Sequence, residues 1–259
     1  MDLIRMHHQG QALREHEEDR RETVKMSVDV HFDFSSEAHG RDIDTHSPTL
    51  KHYHKLLWSK DLPNGERMEL EDGGTYLVWR DFSFGSDAIT HSYRNHKRKQ
   101  AIIGQVAQDA DELYRAGCTI GAYLIFPSNR VNDLPTINQA RGTLRMIDDR
   151  FDLTLECIRR FYAGVGSPLS DTLLRYRSFF DLFRSFRGYV EFFLLQDLVT
   201  DDCAGIRFYL PFDDFVSEPM FRGREEYLLY KKAILRFVQS RNSRIEEWCQ
   251  HNEADGRTI

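Results

Sequence analysis

An uninterrupted apolar run, Ile120-Gly121-Ala122-Tyr123-Leu124-Ile125-Phe126, stopped by Pro127, constrains this chain more than any other segment. It is too short to span a bilayer and reads as a strand buried in a core. Ser128-Asn129-Arg130 and the polar segment Thr136-Ile137-Asn138-Gln139-Ala140-Arg141-Gly142 follow, and Asp149 to Tyr162 then has the pattern of a helix. Fixed donors on a loop between a buried strand and a helix are a frequent means of holding an anionic ligand. Arg141 offers a rigid fork for phosphate or carboxylate, and Asn129, Arg130 and Asn138 are near enough in sequence for a turn to converge them on it. The competing reading is that Asn138 and Arg141 cap or clamp the following helix.

With 18 Phe and 11 Tyr in 259 residues, the chain can bury a substantial core. A formal net charge of −6 argues against a surface built to coat duplex DNA, while leaving room for a local basic site. Cys118, Cys157, Cys203 and Cys249 are too far apart for a CxxC metal pair or a disulfide framework. Cys118 and Cys157 read as packed core thiols. The first residues are charged and lack the apolar core of a signal peptide, and the longest apolar candidate, Tyr189 to Val199, is short and carries Glu191, Gln196 and Asp197. The expectation is a soluble, cytoplasmic protein with no membrane partner.

Residues 1–25 are highly charged and are expected to form an arm, either flexible or docked on a partner. Val28 to Phe34 alternates apolar and polar residues, which is a half-buried strand signal, and Ser35 to Ser47 reads as a loop. Ser47-Pro48 opens a helix to Ser59, and Pro63-Asn64-Gly65 is a turn. Thr75 to Trp79 is expected as a strand. A turn at Gly85-Ser86 should then lead into a second strand, Ala88 to Tyr93. Helices are expected at Ala101 to Ala116, Phe151 to Tyr162, Ser170 to Phe186 and Arg224 to Trp248, with strands at Tyr189 to Leu195 and Gly205 to Leu210. Strands and helices that mix without strict alternation indicate α+β. The expected organisation is one domain over residues 26–250, with a mixed or antiparallel sheet flanked by four or five helices, and a disordered tail over residues 251–259.

Several strings, Tyr53-His54-Lys55-Leu56-Leu57-Trp58-Ser59-Lys60, Leu62-Pro63-Asn64-Gly65, Phe84-Gly85-Ser86-Asp87, Ile137-Asn138 with Ala140-Arg141-Gly142, and Asp149 to Arg160, occur in an order that resembles an uncharacterised bacterial family of unknown function. The resemblance runs from His31 to Trp248. It implies a single domain of this length and a bacterial or phage-related origin, and it brings no activity, cofactor or catalytic residue.

The common catalytic signatures are missing: there is no GxxxxGK[ST] loop, HExxH, GxGxxG after a strand, or GxSxG elbow. Arg41 and His46 have the Arg-x4-His spacing of some RNA-cutting toxins, but in a polar stretch that also reads as a loop. Ser86, Asp87, His91, Ser92, Tyr93 and Arg94 offer polar groups near the turn, followed by the basic run His96-Lys97-Arg98-Lys99, which suits either a nucleic-acid backbone or solvent. His31, His46, His52 and His54 lack a carboxylate at fixed spacing, so no metal is expected. Glu191, read at the start of a buried strand, must be paired, perturbed or beside a cleft. ADP-ribosyltransferases place a catalytic Glu in a similar way, though their Ser-Thr-Ser string is missing here.

These residues support three expectations. The first is a toxin or phage-defence effector that transfers ADP-ribose from NAD to a macromolecule such as RNA or DNA. In it Glu191 steadies the ribose, Arg141 or Arg94 holds phosphate, and Tyr93 or Tyr53 stacks on the ligand. The second is a metal-independent ribonuclease toxin using His91, Arg94 or His46. The third is a non-catalytic module that binds a nucleotide or a partner's acidic segment. A cognate inhibitor or antitoxin is the protein partner expected for the charged arm.

Overall fold

The computed structural model describes residues 27–254; the arm read at residues 1–25 and the end of the tail lie outside them. Among the described residues the helices and strands follow in the order α1 (Ser35–Ala38), α2 (Ile43–His46), α3 (Pro48–Trp58), β1 (Glu71–Asp72), β2 (Leu77–Trp79), β3 (Phe82–Ala88), α4 (Gln100–Ile103), α5 (Ala107–Ala116), β4 (Tyr123–Pro127), α6 (Ile137–Thr143), α7 (Phe151–Tyr162), α8 (Ser170–Arg175), α9 (Arg177–Asp181), α10 (Phe186–Phe192) and α11 (Arg224–Ala254). The class is α+β. The four strands form one antiparallel sheet in the order β1-β2-β3-β4.

Local chemistry accounts for the element ends. The Ser47 side chain accepts from the Leu50 amide and Pro48 sits in the first turn, so α3 begins where the sequence indicates. Thr136 and Gln139 form a reciprocal capping box that starts α6. Gly65 holds a positive φ of 92° in the turn after Pro63. The buried apolar side chains make one continuous cluster running from Val28 to Cys249, with Cys118 and Cys157 inside it.

Several expected elements differ. Val28 to Phe34 keeps its alternating burial but pairs with no strand, and short helices α1 and α2 replace the loop after it. The expected turn at Gly85-Ser86 is absent: β3 runs straight through, with Gly85 opposite Phe126 and Ser86 opposite Ile125. Residues 89–93 are irregular. The expected 101–116 helix is split at Gly104, and the 170–186 helix breaks into α8 and α9. No strand forms over Tyr189–Leu195: its first part lies on the helix α10, begun by Ser185, whose hydroxyl accepts from the Gly188 amide, and residues 193–195 follow the helix without regular structure. The segment is buried on nearly every side, and such a run carries no periodicity that separates strand from helix. Gly205–Leu210 contributes only a single bridge, Val199 to Ile206.

The long helix α11 ties these parts together. Arg241 is fully buried and donates to the carbonyls of Gly121 and Tyr123, at 2.9 and 2.8 Å, and to that of Phe193 at 3.0 Å. Asn242 accepts from the Gly121 amide at 2.7 Å. Tyr227 and Tyr230 donate to the carbonyls of Ser92 and His91, both at 2.8 Å, and fix the irregular segment after β3.

Candidate functional site

The C-terminal end of β3 carries Asp87 into the protein interior, where it is 5 % exposed. An isolated carboxylate there would be costly, and the chain answers it with Arg141 from α6, which is wholly buried. Arg141 Nη1 lies 2.6 Å from Asp87 Oδ2 and 3.1 Å from Asp149 Oδ1. The same guanidinium donates to the carbonyls of Ala88 and Asp149, and its Nε donates to the Thr154 hydroxyl. Every face of the fork is therefore spent on the protein.

Asp148 and Asp149 sit side by side in the left-handed region, with φ of 46° and 66°. Aspartate tolerates this conformation better than most residues, but two in succession need holding. Arg141 takes the Asp149 carbonyl, and the Tyr93 hydroxyl donates to the Asp148 carbonyl at 2.6 Å. The Asp149 carboxylate is thus presented, one-third exposed, at the head of α7.

Above this floor opens a cleft of about 410 Å³, within the range of small-molecule sites. Asp44, Asp87, Asp149, His91, Arg94 and Asn138 line it, with Tyr114 and Tyr123 among its walls. Asp44 comes from α2, which packs across β3. Burial, then the neighbouring Asp42, pushes its carboxyl up to about 7, against the pull of the Ala88 amide and of Arg141. Its Oδ1 is buried without a hydrogen-bond partner. Burial also pushes Asp87 up while Arg141 pulls it down, and Asp87 and Asp149 together hold Arg141 firmly charged. A guanidinium in direct contact favours the ionised form, so we assign the charge to Asp87 and the mobile proton to Asp44.

His91 lies over Tyr93 with ring centroids 4.4 Å apart, and its Nδ1 accepts from the Tyr93 amide. In the neutral ring Nε2 then carries the hydrogen and faces Asp149 at 3.8 Å, so no lone pair is left for a base. At the rim, the Arg94 guanidinium stacks on Tyr114 at 3.4 Å from the ring centroid.

A second cleft, of about 400 Å³, opens at the other end of α2 and shares Asp44 with the first. His46, Lys51, His54, Asp72 and Ser86 line it. Lys51 is engaged by Asp72 and by the Gly74 carbonyl.

The structure redistributes the residues singled out by sequence. Arg94 and Asn138 line the first cleft and Ser86 the second. Arg141 lies beneath the first cleft, organising its carboxylates; being wholly buried, it does not face a ligand. Tyr93 and Tyr53 are buried, each with its hydroxyl engaged, and neither offers a stacking face. Asn129 clamps the Ser83 amide and the Asp81 carbonyl, and Arg130 is exposed away from both clefts. Glu191 needs correction: it sits on α10, more than half exposed, 3.9 Å from Arg187 one turn earlier, and lines neither cleft. Asp44 and Asp149 were not anticipated, and Asp87 was named only among the polar groups near the expected turn, with no role of its own. A polar residue on a strand packed against an apolar run was the available signal for its role, and the expected turn at Gly85 concealed that it would be buried on the strand.

Among the described residues no group of three or more His, Cys, Asp and Glu is placed to hold a metal ion, and no helix is long and apolar enough to cross a membrane. No curated protein and no solved structure matches the chain. A family profile does match, over residues 28–245, and that span contains every string on which the resemblance rested. The chain therefore belongs to this family, described as a family of unknown function, DUF6994.

Proposed function

We propose that the protein is an enzyme of ribosyl transfer, taking ADP-ribose from NAD to a macromolecular acceptor, with its reacting centre at Asp87 and Asp44 instead of Glu191. The observation that carries this reading is a pair of carboxyls on one cleft in unlike surroundings: Asp87 is in direct contact with the Arg141 guanidinium, whereas Asp44 is buried with one oxygen unpartnered. Breaking the ribose–nicotinamide bond leaves positive charge on the sugar, and a fixed carboxylate such as Asp87 stabilises it. The acceptor must lose a proton as it attacks, and a carboxyl poised near neutral pH is suited to take it. Arg94, held on Tyr114 at the rim, supplies a cation for phosphate. A metal-independent ribonuclease would need a histidine base in this cleft, and the basic nitrogen of His91, Nδ1, already accepts from the Tyr93 amide.

The test incubates full-length protein with labelled NAD in the presence of RNA, DNA and cell protein. Wild type is compared with Asp87→Asn, Asp44→Asn and Glu191→Gln. Label transfer by wild type and Glu191→Gln, lost in both aspartate variants, is the expected result. RNA shortened without NAD would transfer the reading to a nuclease, and no reaction would leave a binding module.

A further inference from the structure

Ser86 and His54 look like a nucleophile with its base: Nε2 lies 2.9 Å from Oγ. The third member of the chain reverses that reading. The Trp58 indole Nε1, which can only donate, lies 3.1 Å from His54 Nδ1. Nδ1 is therefore an acceptor, the hydrogen resides on Nε2, and Nε2–H donates to Ser86 Oγ. The hydroxyl, having accepted, must turn its own hydrogen elsewhere, and Ser86 lines the second cleft. His54 is 1 % exposed, and burial followed by the charge of Arg241 lowers its pKa to about 3, so the direction holds across ordinary pH.

We propose that Trp58, His54 and Ser86 form a one-way hydrogen-bond relay that makes the second cleft a binding site for a neutral carbonyl group, such as that of a carboxamide or a nucleobase. The relay ends in a donor, which selects an acceptor. The lining offers little to an anion: Lys51 is already bound by Asp72 and by the Gly74 carbonyl, and Asp44 adds a negative charge as pH rises through about 7. His46 also faces the cleft, its Nδ1 held at 2.7 Å from the Thr45 hydroxyl and 2.9 Å from the Asp42 carbonyl. The site does not depend on which bond is broken in the first cleft, so the NAD reading and the relay can fail separately.

The relay is tested by long-range proton–nitrogen NMR on histidine-labelled full-length protein. His54 is expected as the neutral Nε2–H form from pH 5 to 8. An Nδ1–H form, or titration within that range, overturns the proposal. Binding is read with two isosteric probes, nicotinamide and nicotinate, followed at the amides of Ser86 and Thr75, which both line the second cleft. Saturable shifts with nicotinamide, at least tenfold weaker with nicotinate, are expected, with a loss of about tenfold in Ser86→Ala. Trp58→Phe frees Nδ1, lets Ser86 donate back to His54, and should weaken nicotinamide as Ser86→Ala does. Equal binding of the two probes, or no shift at these amides with either, refutes the site. Because Trp58 is a core residue, the wild-type histidine spectrum and Ser86→Ala decide the matter if Trp58→Phe does not fold.

Discussion

Arg141 and Asp87 lie 54 positions apart in sequence and 2.6 Å apart at the floor of the first cleft. This contact joins α6 to β3, and through Asp149 it also sets the entrance to α7. Removing a buried partner leaves its counter-charge uncompensated. Arg141→Ala should therefore destabilise the protein by about 3–5 kcal/mol, measured by chemical denaturation. Arg141→Lys should recover only part of that loss, because an ammonium cannot reproduce the fork.

Asp44 supplies a pH dependence with a defined sign. Its folded pKa, near 7, exceeds the unfolded value, so the folded state binds the extra proton between about pH 4 and 7. Its contribution to stability is fully present below that window and is lost as pH rises through 7. Melting temperature should fall across pH 5 to 8, by about 2–4 °C per kcal/mol for a chain of this size, and the slope should flatten in Asp44→Asn. Ribosyl transfer should show the opposite trend, rising with pH as the base ionises.

Glu191→Gln should leave both stability and activity close to wild type. The Arg187 pair is exposed and one turn apart on a helix, and such pairs contribute about 0–1 kcal/mol. A loss of activity in a folded Glu191→Gln protein would return the reacting centre to α10.

Gly188 is required for space, not for a turn. A Cβ there would lie 2.2 Å from the Phe183 carbonyl oxygen and 3.3 Å from Pro63. A backbone oxygen has little freedom to move aside, so Gly188→Ala should cost about 1–3 kcal/mol, at the upper end, in thermal or chemical melts.

How far the sequence could be read depended on the range of the interactions involved. The start of α3, the turn at Pro63, the helix α7 and the burial of β4 follow from neighbours within a few positions, and all were legible. Arg141 was also identified, but its role was not, because its partners arrive from β3 and from the strained pair before α7. Glu191 was misplaced for a different reason: α10 is apolar on most sides, and its helical nature is decided by the Ser185 cap and by packing. The buried position of Asp87 was hidden because Gly85-Ser86 reads as a turn in isolation, whereas pairing with β4 keeps it extended.

Arg241 has one further effect. Successive carbonyls of a strand point to opposite sides, and Ala122 gives its oxygen to Ile89 while Tyr123 gives its oxygen to Arg241. The outward main-chain acceptor at the head of β4 is thus already taken by a side chain. The other margin of the sheet, β1, is two residues long and doubly acidic, so neighbouring copies would repel there. A sheet guarded in these two ways resists fibril growth by strand addition, and loosening Arg241 would remove one of the guards.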